Sequence, residues 1–180
     1  MRTKSASTSK SSAARNANLV GVIVETPRGS RNKLKYDPDR RLFKLSKVLP
    51  EGMVFPYDFG FVPSTQAEDG DPLDVLVLTD DPLFTGCLVE CRLIGAIEAE
   101  QEEEGKNKRN DRLIAVAQQS LLYSEVKEID DLNSTVLKQI EAFFVNYQKV
   151  REVKVKIIGR SGPRKARDIL RAAGLQKRAA

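Results

Sequence analysis

From Leu19 to Glu25 the chain reads L-V-G-V-I-V-E, short and β-branched, and it closes on T-P-R-G-S. That pattern predicts a buried strand that delivers Glu25 to a turn. After a basic turn carrying Arg28, Arg31, Lys33 and Lys35 come L-F-K-L, M-V-F-P, D-F-G-F-V, L-D-V-L-V-L, C-L-V-E-C-R-L-I-G-A-I and R-L-I-A-V, divided by Pro, Gly and Asp. Short strands at this spacing predict a meander that forms a barrel or sandwich. Between two of them, E-A-E-Q-E-E-E-G-K-N-K-R-N reads as an exposed loop with opposite charges at its ends. The period changes near Asp130, where Val136, Leu137, Ile140, Phe143, Phe144 and Tyr147 recur at helical spacing behind an Asp cap. After a last strand, V-K-V-K-I-I-G, a second helix is predicted, with Ala166, Ile169, Leu170 and Ala173 inward and Gly174 as its stop.

The 180 residues suit one domain, over 19–176, between a basic Ser-rich disordered tail at 1–18 and a short tail at 177–180. The fold class expected is α+β, mainly β, with two packed helices. With 41% hydrophobic and 31% charged residues the chain has the balance of a globular protein. Its net charge of +5 arises mostly from Arg2, Lys4, Lys10 and Arg15, leaving 26 basic against 25 acidic residues in the remainder. So even a balance gives no footprint for duplex nucleic acid. The first sixteen residues have the composition of a transit peptide or of a loose tail, and the tail is the favoured reading. No apolar run is long enough for a membrane span. Cys87 and Cys91, about 13 Å apart in an extended strand, cannot bridge each other, and two lone thiols suit a reducing, cytoplasmic setting.

Histidine is absent, so chemistry must rest on carboxylates, Lys, Arg or Tyr. The densest candidate is E-D-G-D-P-L-D-V-L-V-L, which sets Asp69, Asp71 and Asp74 within six residues. Three such carboxylates at a barrel mouth call for a cation, and all-oxygen donors favour Mg²⁺, with Mn²⁺ as a substitute. On the residues alone an ordinary acidic turn remains open, since D-G-D is also turn chemistry.

This segment, with V-I-V-E-T-P-R-G-S-R-N-K upstream, F-P-Y-D-F-G-F-V-P-S-T between and N-D-R-L-I-A-V and F-F-V-N-Y downstream, resembles the family I inorganic pyrophosphatases over about Leu19 to Gly174. The resemblance implies an OB-like closed barrel, metal-dependent hydrolysis of pyrophosphate to two orthophosphates, and a homo-oligomer, a hexamer in bacterial members. It implies that Asp69 and Asp74 ligate metal and that Asp71 assists in deprotonating the attacking water. Glu25 would hold a further Mg²⁺ through water, Lys33 would bind phosphate, and Tyr147 would donate to a phosphate oxygen. For Tyr147, periodicity alone prefers a core role.

The chain also departs from that family's pattern. Lys35 stands for a glutamate, Lys47 for an arginine, and Phe55 and Phe59 for tyrosines, with Tyr57 placed to restore one hydroxyl. Gln101 and Asn110 stand for aspartate ligands, and Asn110 or its neighbour Asp111 is left to offer an oxygen. Arg112 replaces a phosphate-binding lysine, and Gln148 another, with Lys149 one step along. The competing reading is a relative that binds metal–pyrophosphate or a phospho-ligand without turning it over.

Overall fold

The computed structural model describes residues 19–103, 105–149 and 153–179. The 1–18 tail and Ala180 lie outside them. In chain order the elements are β1 (Leu19–Thr26), β2 (Asn32–Asp37), β3 (Leu42–Val48), β4 (Asp58–Phe61), β5 (Asp74–Leu78), β6 (Leu88–Glu103), β7 (Lys106–Arg109), β8 (Arg112–Ala117), α1 (Ser134–Lys149), β9 (Lys154–Ser161) and α2 (Pro163–Ala179). Five strands pair in the order β1-β4-β5-β8-β6, and β6 returns to pair with β1, so they form a closed ring. Every ring pair is antiparallel except β5–β8.

Side-chain alternation makes two cores from this one ring. Val22, Val24, Val75, Val77, Leu113, Ala115, Cys91 and Leu93 turn to one side, where Ala166 and Ala173 of α2 meet them. Leu76, Leu78, Ile114, Val116, Ile94 and Ile97 turn to the other, against Leu137, Ile140, Phe144 and Tyr147 of α1. The α+β, mainly β architecture with two packed helices is therefore present, and its ring agrees with an OB-like fold. Gly60 lets β1 and β4 approach, since a Cβ there would lie 2.2 Å from the Ile23 carbonyl oxygen.

Several elements differ from the pattern-based expectation. The basic turn is in part the strand β2, hydrogen-bonded to β3 in a separate hairpin, because K-L-K-Y alternates in a way that suits a half-buried edge. M-V-F-P is not a strand: Phe55 is buried, and its backbone instead pairs with the preceding turn through Gly29 and Ser30. The charged stretch at 98–110 is not a loose loop but the end of β6 and the start of a hairpin with β7, and it buries Gln101. Helix α1 begins past Asp130, where the Asn133 side chain accepts from the Thr135 N–H at 2.8 Å. Helix α2 runs through Gly174, since the following L-Q-K-R-A segment favours helix and one glycine costs only about 1 kcal/mol.

Candidate active site

A cavity of about 730 Å³ opens between the β2–β3 hairpin and the ring, lined by Glu25, Lys33, Lys35, Asp71 and Asp74 together with Ile23, Tyr36 and Phe61. Residues from β1, β2, the turn at 70–72 and β5 meet here, with Asp69 just outside the lining. The delivery of Glu25 depends on a bulge: Val24 pairs with Gly60 and Thr26 with Phe59, which leaves Glu25 as the extra residue. Its carboxylate accepts the Tyr36 N–H at 2.7 Å. The Thr26 hydroxyl accepts from the Leu34 N–H at 3.0 Å and faces the Leu34 carbonyl at 3.3 Å. These two side chains fasten the hairpin to the ring.

Burial dominates the electrostatics of Glu25, pushing its carboxyl up to about 7 against the pull of the Tyr36 N–H, and the Asp74 charge adds to the rise. Asp69 is also raised, first by burial and then by Asp74 and Asp71, although it accepts the Asp71 N–H at 3.1 Å. Lys35 is the direct partner of Asp71, its Nζ lying 2.7 Å from one carboxylate oxygen and 2.6 Å from the other. Burial draws the Lys35 ammonium down, but Asp71 more than offsets this and the net shift is upward. Arg112, 8% exposed, places Nε 3.2 Å from an Asp74 oxygen.

Lys33 lies 4.8 Å over the Phe59 ring and 5.5 Å over the Tyr147 ring, on the same face of β2 as Lys35. Across the hairpin its partner is Lys47, half-buried in β3. Tyr147 belongs to the core, as its spacing prefers, stacked 5.9 Å from Phe143. Yet its hydroxyl is buried with no protein hydrogen-bond partner, an orphaned donor on a ring that Lys33 overlies.

Other expected groups are not brought to the cavity. Tyr57 turns to Tyr123, and burial together with that neighbour pushes its hydroxyl up to about 12. Lys149 is exposed at the end of α1. Asn110 is buried and gives its side-chain N–H to Gln101 at 2.5 Å, with Gln148 and Arg112 lining the same small hollow. One amide thus bonds another where the resemblance places two carboxylates. Asp111 faces away from the cavity, 2.9 Å from Arg109, and accepts the Ala99 N–H at 3.1 Å. Asp58 was not singled out by the sequence: fully buried, it accepts from the Arg28 N–H (2.8 Å), the Thr79 hydroxyl (2.7 Å) and the Leu83 N–H (3.2 Å). Its one available signal was an acid at the head of an apolar strand.

Crowded carboxylates, two of them, Glu25 and Asp69, raised in proton affinity, offer hard oxygen donors that fit a divalent cation of the Mg²⁺ kind. Among the described residues, however, no three acidic or cysteine side chains converge closely enough to ligate one, and Lys35 and Arg112 are paired with Asp71 and Asp74.

A ring of five strands with anions and cations gathered at one cavity defines a protein built to handle a charged, oxygen-rich ligand. Comparison with known proteins narrows that class: residues 22–176 match the model of the inorganic pyrophosphatase family. The inorganic pyrophosphatase of Thermus thermophilus is 40% identical over 144 residues, covering 80% of each chain. That of Synechocystis is 38% identical over 79% of this chain and 82% of its own. Among solved structures, an inorganic pyrophosphatase from Thermus thermophilus superposes with a TM-score of 0.83 at 36% identity, over 89% of this chain and 92% of that one. One from Helicobacter pylori gives 0.83 at 31%, over 90% and 95%. This chain belongs to the inorganic pyrophosphatase family.

Proposed function

We propose that this protein hydrolyses inorganic pyrophosphate to two orthophosphates at the 730 Å³ cavity. Family membership over 22–176 gives the reaction, and the single observation that carries the location is the meeting there of Glu25, Lys33, Asp71 and Asp74 from four separate segments. In this reading Glu25, Asp69, Asp71 and Asp74 would hold divalent metal, Mg²⁺ or Mn²⁺, once Lys35 is displaced and the carboxylates draw together. When bound, that metal supplies positive charge against the substrate oxygens and acidifies the attacking water.

The chain's own groups do the rest. Lys33 and Arg112 bind phosphate oxygens, with Lys47 adding positive charge behind Lys33. Tyr147, whose hydroxyl has no protein partner, donates to one of those oxygens. Asp71 accepts a proton from the water as it attacks one phosphorus and the bridging P–O bond breaks. For this, Lys35 must leave Asp71, and the substrate's charge gives its ammonium a new partner.

Phosphate release from pyrophosphate, with Mg²⁺ and then Mn²⁺, tests the proposal beside Asp71→Asn. Release under metal that falls at least a hundredfold in the variant is expected. A folded protein that binds pyrophosphate and releases nothing under either metal overturns it.

The exposed Leu42, Leu45 and Val48 of β3, and Phe84, Leu88, Leu121 and Leu122 elsewhere, support a homo-oligomer, proposed as a hexamer. Light scattering that returns the mass of one chain would contradict this. No helix among the described residues is long and apolar enough to cross a membrane. The free thiols of Cys87 and Cys91 support a cytoplasmic location, which fractionation with a cytoplasmic marker would test.

A further inference from the structure

We propose that Lys35 is an internal counter-cation of the carboxylate cluster, set where a divalent ion would otherwise engage Asp71, and that it lowers this chain's affinity for metal there. The inference rests on the reading of the cavity as a metal and pyrophosphate site.

Its ammonium reaches both oxygens of Asp71, at 2.7 and 2.6 Å, and so occupies the face of the carboxylate that a metal would need. Its backbone is held from both sides. Leu34 is bound to Thr26, and the Tyr36 N–H to Glu25, so residue 35 sits between two anchors and its side chain enters the cavity on the same face as Lys33. The two lysines differ in what they touch. Lys33 rests on the rings of Phe59 and Tyr147 and acts on Glu25 only through space, whereas Lys35 is bonded to a carboxylate, Asp71.

Charge balance gives the consequence. Four carboxylates, Glu25, Asp69, Asp71 and Asp74, already face three cations, Lys33, Lys35 and Arg112, so little negative charge remains for an incoming divalent ion. At a separation of about 4 Å and a dielectric near that of a protein surface, repulsion between an ammonium and a divalent ion reduces affinity tenfold or more. The Lys35 side chain is 38% exposed and that of Asp71 54%, so the pair competes with metal without excluding it.

Mn²⁺ binding to the metal-stripped protein, in the absence of pyrophosphate and read from the electron paramagnetic resonance of free Mn²⁺, tests this without turnover. Lys35→Gln is expected to tighten binding about tenfold, and Lys35→Glu more, with circular dichroism confirming the fold of each. Unchanged or weaker Mn²⁺ affinity in a folded Lys35→Gln protein overturns the inference, and so does an absence of detectable binding in both. Asp74→Asn separates the two levels of argument. If it abolishes binding while Lys35→Gln gains nothing, only the role of Lys35 fails; if it leaves binding intact, the cluster is not the metal site and the underlying reading fails too.

Discussion

Glu25 and Asp58 are both buried acids at strand ends, and their surroundings give them opposite parts. Glu25 receives one backbone N–H and faces Asp74, so burial wins and its carboxyl rises from 4.5 to about 7. A carboxyl that binds its proton more tightly when folded contributes stability below pH 4.5, and that contribution is lost as pH rises through about 7. In metal-free protein, urea unfolding should show this decline, on the order of 3 kcal/mol across the window from the size of the shift. Glu25→Gln should remove it, and a variant that tracks the parent at every pH would rule it out. Asp58 instead accepts from three groups contributed by distant segments. Asp58→Ala leaves those donors unpaired and should cost about 3 kcal/mol in the same measurement, with Asp58→Asn milder. A loss below 1 kcal/mol would mean that water replaces the carboxylate without cost.

Among the elements, the hairpin β2–β3 decides whether a cavity exists at all. It stands outside the ring and forms its own sheet, so the closure of the site depends on a few side chains of β1 rather than on a ladder of backbone bonds. Thr26→Val keeps the shape and removes the hydroxyl that pairs with Leu34. It should cost about 1–2 kcal/mol of local stability. Hydrogen exchange at the Leu34 amide should quicken by roughly tenfold or more, while ring amides such as Val77 keep their protection. Equal acceleration in both would show that the hairpin unfolds only with the whole domain. The bulge at Glu25 has the same dependence on tertiary context: a regular β1 is legible in L-V-G-V-I-V-E, but the slip that re-aims Glu25 follows from the approach of Gly60 across the ring.

For the whole molecule, metal should act as a ligand of the folded state alone, because the unfolded chain does not gather Glu25, Asp69 and Asp74. Mg²⁺ at about a hundred times its dissociation constant should add about 2.7 kcal/mol. That corresponds to roughly 5–10 °C in Tm for a domain of this size, and Asp74→Asn should abolish the shift. A Tm indifferent to Mg²⁺ in the parent would count against the cluster as a metal site. By itself the sequence determined where along the chain the ring strands and the two helices lie, the apolar faces of α1 and α2, and the residue types available for chemistry. Those follow from short-range periodicity and from the absence of histidine. It also carried the resemblance through which Lys33, Asp71 and Asp74 were expected together. Only the tertiary structure decided that Lys35 sits on Asp71, that Asn110 donates to Gln101, and that Asp111 turns to Arg109 and Tyr57 to Tyr123. Each of those pairs joins residues apart in sequence or turns on strand register, and a polar side chain's partner is set by which donors and acceptors folding brings within about 3 Å, a distance that no local pattern encodes.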